Sequence, residues 1–244
     1  MEKQIAIIIP ARYGSSRLEG KPLLRADNKP IIQWVWEKAK SCKLVDRVII
    51  ATDDDRIFNA CKEFNAEVEM TSNSHKSGSD RIAEVAKRHP EIGYIINLQG
   101  DEPLIEQSNI ELVIDGVLND ELADISTLVR EIKEQDELDN PNLVKCVFDN
   151  KRYAMYFSRS KIPYERNNGK AKFYGHLGIY GFKRDALFKM TELSQSTYEM
   201  SESLEQLRAL QNGMKIKVGI VENVPVGIDT IEDFEKFKQM VEKI

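Results

Sequence analysis

The chain has 244 residues, of which 41% are hydrophobic and 31% are charged, and its formal net charge is −5. This composition is typical of a globular enzyme and excludes collagen, low-complexity disorder and a membrane channel. The acidic balance also argues against a duplex nucleic-acid binder, because phosphate neutralisation requires a basic excess.

Strands and helices alternate through the first half of the chain. The first predicted strand is the apolar run at residues 5–9, far shorter than the ~20 residues that a bilayer requires. The elements that follow are predicted from apolar spacings: a helix at 30–40, a strand at 47–51, a helix after 53–55, a strand at 67–70, a helix through 82–86, a strand at 94–98, a helix at 110–117 and a strand at 125–129. Such alternation predicts a mostly parallel sheet with helices on both faces.

The second half of the chain is less regular. Residues 145–148, 154–157 and 177–182 are predicted strands with no helical pattern between them, which favours a small antiparallel insertion, either an arm or a dimerisation element. The predicted elements that close the chain are a helix at 203–210, a strand at 215–221, and a helix that begins at Thr230 with a capping-box residue, Asp233, and continues to about Val241.

The loop after the first strand has the composition of an anion-binding site. Residues 10–22 combine small residues with the cations Arg12, Arg17 and Lys21. Small residues let main-chain N–H groups approach an anion, and the cations can neutralise a triphosphate. The loop also follows the carboxyl end of a strand, where open α/β sheets bind ligands. Neither the dinucleotide fingerprint nor the P-loop pattern is present, and a solvated basic loop is the alternative.

Two carboxylates are predicted to lie at strand ends. Asp101 follows the strand at 94–98, and Asp229 follows the strand at 215–221. Two such carboxylates in one sheet can converge on Mg²⁺, which binds few carboxylates together with substrate phosphate oxygens. Gln99, beside Asp101, could contact a base edge or a ribose hydroxyl. For Asp229 the alternative is a helix N-cap.

Residues 53–55 are three consecutive aspartates and resemble a D-x-D metal motif. They also stand just before a predicted helix, where acidic side chains cap the first turn and interact favourably with the helix dipole. We therefore interpret them as helix-capping residues.

The three cysteines, Cys42, Cys61 and Cys146, are widely spaced and form no C-x-x-C pair. This spacing predicts buried, reduced thiols, since neither a disulfide framework nor a metal site is indicated. The N-terminus also lacks the pattern of a signal peptide. We therefore predict a cytoplasmic protein.

A series of motifs occurs in one order along the chain. After the first loop these are residues 75–81 (HKSGSDR), 99–103 (QGDEP), 156–163 (YFSRSKIP), 176–181 (HLGIYG) and 204–208 (LEQLR). Together they resemble the 3-deoxy-manno-octulosonate cytidylyltransferase family, the CMP-Kdo synthetases, over residues 5 to about 240. The resemblance implies a Rossmann-like nucleotidyltransferase fold and a homodimer. It also implies Mg²⁺-dependent transfer of CMP from CTP to Kdo, with release of pyrophosphate, for lipopolysaccharide synthesis.

The resemblance implies a role for each matching residue. The residues expected to hold CTP are Pro10, Ala11, Arg12, Arg17, Lys21, Ser77 and Gln99. Those expected to hold Kdo are Arg159, His176, Tyr180, Glu205 and Gln206. Asp101 and Asp229 would bind Mg²⁺ and would form the catalytic set with Lys21. Without the resemblance, His176 would be interpreted as a satisfied strand residue, and Glu205 and Gln206 as solvated helix residues.

The resemblance also implies an organisation within a single domain of residues 1–244. The CTP-binding half would span about 1–130, the sugar-binding and dimerisation portion about 131–215, and the closing strand and helix about 216–244. No nucleic acid and no membrane insertion are expected. The alternatives are a related substrate acid (8-amino-Kdo or a sialic-type acid), a non-catalytic nucleotide-binding regulator, and a structural assembly partner.

Overall fold

The structure, a computed structural model, describes residues 3–14, 18–167, 169–222 and 227–242. Arg17, one of the predicted CTP-binding residues, lies outside the described residues. The chain forms two compact units, residues 1–111 with 225–244 and residues 112–224. The expected division of one domain into CTP-binding, sugar-binding and closing portions stays a prediction.

The strands and helices follow one another in the order of the chain. Those of the first part are β1 (Gln4–Ala11), β2 (Arg25–Ala26), β3 (Lys29–Pro30), α1 (Ile31–Ser41), β4 (Arg47–Thr52), α2 (Asp55–Glu63), β5 (Glu67–Met70), α3 (Gly78–Arg88), β6 (Ile92–Asn97) and α4 (Gln107–Leu118). Those that follow are β7 (Ile125–Ile132), α5 (Gln135–Asp139), β8 (Lys145–Phe148), β9 (Ala154–Ser158), β10 (Phe173–Lys183), α6 (Arg184–Glu192), α7 (Thr197–Glu202), α8 (Gln206–Gln211), β11 (Ile216–Val221) and α9 (Ile231–Val241). None of the helices in these described ranges has the length and apolar character needed to cross a bilayer.

In the first unit the main sheet is parallel, with the strand order β6-β1-β4-β5. The β-branched run of β1 occupies the interior of this sheet, and Ile7, Ile8 and Ile9 are fully buried. Such a run is stable as a strand because both of its faces can be covered. The carboxyl ends of these strands therefore lie at one edge, where the loop after β1 and the turn after β6 both begin.

In the second unit, β7 pairs with β11 in parallel and with β10 in antiparallel orientation. The antiparallel pairing continues from β10 to β8 and from β8 to β9. The predicted α/β class, with a mostly parallel sheet and a small antiparallel portion, is confirmed. The pairing of β10 with β7 shifts register between Leu177 and Tyr180.

The bounds of several elements agree with the predictions made from short apolar patterns. The strands at 67–70 and 145–148 have the predicted bounds, and Thr230 and Asp233 form the predicted capping box of α9. The helix predicted at 203–210 is present as α8, but its predicted start is wrong: α7 ends at Glu202, Ser203 caps it with a φ of 52°, and α8 begins at Gln206. A left-handed residue ends a helix, and side-chain periodicity does not reveal it.

The three cysteines are buried and unbridged, as predicted. Burial raises the pKa of the Cys61 thiol to about 12 and raises that of Cys146 as well. These thiols therefore behave as small apolar side chains of the core.

Candidate active site

A cavity of about 280 Å³ opens in the first unit beside the ends of β1 and β6. Five of the predicted CTP-binding residues line it: Pro10, Ala11, Arg12, Lys21 and Gln99. Gly78, Arg81, Gly100 and Asp101 also line it. The structure thus brings together three motifs that are separated by up to about 80 residues in the sequence.

Two glycines allow this close arrangement. A Cβ on Gly100 would stand 3.1 Å from the main-chain oxygen of Pro10, so the turn after β6 can rest against the end of β1 only without a side chain there. Gly20 has a φ of 67°, and a Cβ on it would stand 3.0 Å from the Tyr13 ring. Glycine is the residue that adopts this left-handed conformation without strain.

Lys21 connects the two predicted catalytic carboxylates. Its side chain is 12% exposed, and its ammonium donates to Asp101 Oδ2 at 2.6 Å and to the Ile228 carbonyl at 2.8 Å. Asp229 Oδ1 lies 3.5 Å from the same nitrogen. The Ile228 amide in turn donates to the Asp101 carbonyl at 2.9 Å, which fixes the two strand-end segments to each other. The two carboxylates therefore converge on one point, as the sequence predicted.

Asp229 is not the N-cap of α9. That position belongs to Thr230, whose hydroxyl accepts from the Asp233 amide at 3.2 Å. The Asp233 carboxylate also accepts from the amides of Asp229 and Thr230. Because the cap is formed by its neighbours, the carboxylate of Asp229 can face Lys21, and the capping interpretation of Asp229 is wrong.

The negative charges of Asp101 and Asp229 affect the neighbouring acid Glu102. Burial, followed by the charges of Asp101 and Asp229, raises the pKa of Glu102 to about 8. The Lys21 ammonium already contacts both aspartates, and a divalent cation at this point would offset their charge more fully. Within the described ranges, no group of three or more acidic, His or Cys side chains could hold a metal on its own. Asp101 and Asp229 nevertheless fit Mg²⁺, which needs only one or two carboxylates when substrate phosphates supply further oxygens.

Arg81 is a cavity residue to which the sequence analysis gave no role. Its side chain is 1% exposed, and its guanidinium donates to Asp53 Oδ2 at 2.7 Å and to the Thr71 hydroxyl. A fully buried arginine requires such partners, because an unpaired buried charge is costly. The acidic partner was visible in the sequence, but a separation of 28 residues gives no local signal for the pairing.

The aspartates at 53–55 act mainly as helix-terminal residues, as predicted. Asp54 is the N-cap of α2, and its Oδ1 accepts from the Arg56 amide at 2.9 Å. Ser77, a predicted CTP-binding residue, has a similar role in α3, where its hydroxyl accepts from the Asp80 amide at 3.1 Å. Ser77 precedes Gly78, which lines the cavity.

In the second unit, two of the predicted Kdo-binding residues form one aromatic cluster. The rings of His176 and Tyr180 lie 5.3 Å apart, and His176 Nε2 lies 2.9 Å from the Thr127 hydroxyl. Burial lowers the pKa of His176 to about 3 and raises that of Tyr180 well above its usual value. Both rings are therefore neutral near pH 7 and can offer hydrogen bonds without carrying charge.

The other predicted Kdo-binding residues lie at the ends of β9 and α8. Glu205 stands at the N-terminus of α8, and its charge contributes to the raised pKa of Tyr180. Gln206 is only 6% exposed, so its interpretation as a solvated helix residue is wrong. Arg159 follows β9, and its guanidinium donates to the carbonyls of Glu202 at 2.7 Å and Pro141 at 3.0 Å.

Comparison with known proteins identifies the class. The sequence model of the family described as Cytidylyltransferase matches residues 6–216. This match covers most of the chain and includes the loop after β1, the turn after β6 and the second unit's antiparallel strands. The chain is therefore a member of the cytidylyltransferase family.

Closer relatives narrow the assignment. A 3-deoxy-manno-octulosonate cytidylyltransferase of Thermodesulfovibrio yellowstonii is 49% identical, over 93% of this chain and 94% of the relative. Another, from Fusobacterium nucleatum, is 46% identical over 94% of this chain and 93% of the relative. A solved CMP:2-keto-3-deoxy-manno-octonic acid synthetase complexed with CTP is 42% identical, with a TM-score of 0.95 and 99% of each chain covered. Within its family, the chain belongs to the 3-deoxy-manno-octulosonate cytidylyltransferases.

Proposed function

We propose that this protein transfers CMP from CTP to Kdo and so forms CMP-Kdo and pyrophosphate. The observation that carries the proposal is the convergence of Asp101 and Asp229 on Lys21, beside a cavity that also includes Arg12 and Arg81. The similarity to a synthetase complexed with CTP supports CTP as the nucleotide. The names of the relatives support Kdo as the acceptor.

The proposed reaction is a direct in-line displacement at the α-phosphorus of CTP. The anomeric 2-hydroxyl oxygen of Kdo forms the new bond to phosphorus as it loses its proton. The bond from phosphorus to the α,β-bridging oxygen breaks, and pyrophosphate leaves with that electron pair. Catalysis of such a transfer consists mainly of positioning and charge stabilisation, so no covalent intermediate with the protein is required.

The proposal includes Mg²⁺ bound to Asp101 and Asp229. When bound, the ion would polarise the α-phosphate and help to align the two substrates. Support comes from the position of the two carboxylates around a single ammonium, at 2.6 Å and 3.5 Å. Acidic crowding adds support, since burial and, after it, the charges of Asp101 and Asp229 raise the pKa of Glu102 to about 8.

The cations of the first unit would stabilise the charge of the departing pyrophosphate. Lys21 is suited to this role because its ammonium lies beside both carboxylates. With Mg²⁺ bound to Asp101 and Asp229, its N–H groups would be released to turn to phosphate oxygens. Arg12 is exposed at the cavity and would contact phosphate oxygens through its planar fork. Arg81, held by Asp53, would supply a fixed positive charge deeper in the cavity.

The second unit would recognise the sugar acid. We assign the acid's carboxylate to Arg159, because the Arg159 guanidinium donates to main-chain carbonyls and forms no ion pair with a side chain in the described residues. The neutral His176 and Tyr180 would hydrogen-bond to sugar hydroxyls, as would Glu205 and Gln206. Tyr180 and Glu205 lie near each other, since burial raises the pKa of Tyr180 and the charge of Glu205 raises it further.

The proposal extends to assembly and location. We propose a homodimer that uses β9, which pairs only with β8 among the described strands and carries the 65% exposed side chain of Met155. An exposed apolar residue on such an edge strand is typical of a surface that a second chain covers. The three buried free thiols support a reducing, cytoplasmic location, where CMP-Kdo would serve lipopolysaccharide synthesis.

The identity of the acid is tested by parallel assays. Purified protein is incubated with CTP, Mg²⁺ and one acid at a time: Kdo, 8-amino-Kdo or a sialic-type acid. The nucleotide sugar is identified by mass, and kcat/KM is measured for each acid. We expect the highest kcat/KM with Kdo. A higher value with either other acid would replace Kdo as the substrate, and no product with any acid would favour a nucleotide-binding regulator.

A further inference from the structure

Lys145 is a fully buried lysine on β8, with 0% of its surface exposed. Its ammonium donates to three main-chain carbonyls, those of Asn140 and Leu143 at 2.9 Å each and that of Arg159 at 2.8 Å. Three acceptors match the three N–H bonds of an ammonium, so the group is fully hydrogen-bonded without contacting a carboxylate. Lys145 therefore ties two segments, the turn at 140–143 and the residue after β9, to a single charged atom.

Both of these segments determine where the Arg159 guanidinium lies. Its Nη1 donates to the Pro141 carbonyl at 3.0 Å, and Pro141 lies between the two carbonyls of the turn that Lys145 holds. On the other side, Nε and Nη2 donate to the carbonyls of Glu202 and Ser203. Lys145 thus fixes the main chain of Arg159 and also one of the acceptors that orient its side chain.

The two side chains also act on each other through charge. Desolvation lowers the pKa of Lys145, the charge of Asp139 opposes that shift, and the charge of Arg159 adds to it, while Glu202 opposes it. The acceptors that hold both cations most closely are neutral carbonyls. The Glu202 carboxylate also accepts from the Arg159 amide at 2.9 Å, so acids accompany both cations, and Lys145 acts on Arg159 through the geometry of the carbonyls that it holds.

We propose that Lys145 is a positioning residue for the sugar acid: it holds the carbonyl-bearing segments that orient Arg159, whose guanidinium binds the substrate carboxylate. This inference rests on the proposed function, since it assumes that Arg159 binds the acid. An apolar side chain of similar volume could fill the same space without the cost of burying an ammonium. The positioning role explains why a lysine, rather than an apolar residue, occupies this buried position of β8.

The test compares Lys145→Met with wild-type protein, using pyrophosphate release with the concentration of one substrate varied at a time. We expect the KM for Kdo to rise about tenfold or more, which corresponds to a loss of about 1.4 kcal/mol in the free energy of Kdo binding. The KM for CTP should change by less than about twofold, since CTP contacts are assigned to the first unit. Equal changes in both KM values, or an unchanged KM for Kdo, would overturn the inference.

Lys183→Met is the matched control. The Lys183 ammonium also donates to main-chain carbonyls of the second unit, those of Asp120 at 2.9 Å and Glu121 at 2.8 Å, but these acceptors do not hold Arg159. We expect both KM values of this variant to match those of the wild type. A rise in the KM for Kdo equal to that of Lys145→Met would show a general effect of losing a carbonyl-bound lysine and would overturn the specific role.

A double-mutant cycle separates positioning from general stability. If Lys145 acts through Arg159, adding Lys145→Met to Arg159→Ala should raise the KM for Kdo by less than about twofold more. Additive effects would overturn the inference. If Lys145→Met does not fold, Lys145→Gln, which keeps hydrogen-bond donors but no charge, enters the same cycle. Wild-type protein that shows no Kdo-dependent release refutes the proposed function itself, whereas active wild type with an unaffected variant refutes only the role of Lys145.

Discussion

The ammonium of Lys21 lies 2.6 Å from Asp101 Oδ2, although the two residues are 80 positions apart in the sequence. The contact connects the loop after β1 with the turn after β6, and the same ammonium reaches toward Asp229 from the segment before α9. Three parts of the chain therefore meet at one charged centre. The proposed reaction depends on this centre, because it would hold both the metal and the phosphates.

Asp101→Asn should strongly reduce turnover. The substitution removes one of two carboxylate charges at the proposed metal site, so we expect kcat to fall by about 100-fold or more. Steady-state kinetics at saturating CTP and Kdo checks this, with circular dichroism to verify the fold. Asp115→Asn is the control and should keep normal kcat. Asp115 is an exposed residue of α4, and its carboxylate accepts a hydrogen bond from the Asn119 side chain. Near-normal turnover of Asp101→Asn would contradict the metal assignment.

Arg159→Ala should separate the two substrates. Loss of a charge-assisted hydrogen bond to the acid's carboxylate should raise the KM for Kdo by about 10- to 100-fold. The KM for CTP should stay nearly constant. Arg166→Ala, at an exposed arginine between β9 and β10, should leave both values unchanged. If Arg159→Ala raised both KM values equally, Arg159 would not belong to the sugar site.

Gly100→Ala should destabilise the protein through the contact with β1. The added Cβ would stand 3.1 Å from the Pro10 carbonyl oxygen, which is too close unless the turn moves. We expect a loss of about 1–3 kcal/mol in the free energy of unfolding, measured by urea denaturation without ligands. Gly14→Ala is the matched control, since a Cβ there meets no atom of the described residues within 4 Å, its chain neighbours aside. Equal stability of the two variants would show that the turn can shift freely.

His176 should make stability depend on pH. Its folded-state pKa is lowered to about 3 by burial, whereas the unfolded-state value is about 6.5. Above pH 6.5 the imidazole is neutral in both states and contributes no dependence. Between pH 6.5 and 3 the unfolded state binds one more proton than the folded state. The free energy of unfolding therefore decreases as the pH is lowered, by at most about 1.4 kcal/mol per pH unit.

The comparison with His176→Asn isolates this contribution. Free energies of unfolding are measured by urea denaturation at several pH values between 5 and 8. The wild type should lose stability relative to the variant as the pH falls below 6.5, while the difference between them stays constant at higher pH. Parallel curves across the whole range would mean that His176 titrates alike in the folded and unfolded states.

Much of the first unit could be predicted because its signals are local. A β-branched run that ends at Pro10 predicts β1, and the predicted strand at 94–98 places Asp101 at the sheet edge where ligands bind. Asp229 approaches Asp101 from the segment just before α9. Lys21 could be predicted as a site residue because it is a cation in the loop that follows β1. By contrast, the pairing of Arg81 with Asp53 depends on how α3 packs against the sheet, and no sequence spacing specifies that contact.

The second unit was harder to predict, for two physical reasons. Its aromatic cluster depends on the register of β10 against β7, which shifts between Leu177 and Tyr180. The burial of Lys145 also could not be predicted, because a lysine in a strand is expected to face solvent. The carbonyls of the turn at 140–143 that bind its ammonium come together only in the folded chain. The sugar site could therefore be anticipated only from the resemblance of whole motifs.

Pyrophosphate release by the wild-type protein tests the central claim most directly. The assay contains CTP, Kdo and Mg²⁺, with parallel reactions that omit one component or add EDTA. The proposed function predicts release only when all three are present, together with loss of release in EDTA. Release that continues without Kdo, or no release from the complete mixture, would contradict the assignment of this chain as a CTP-dependent Kdo cytidylyltransferase.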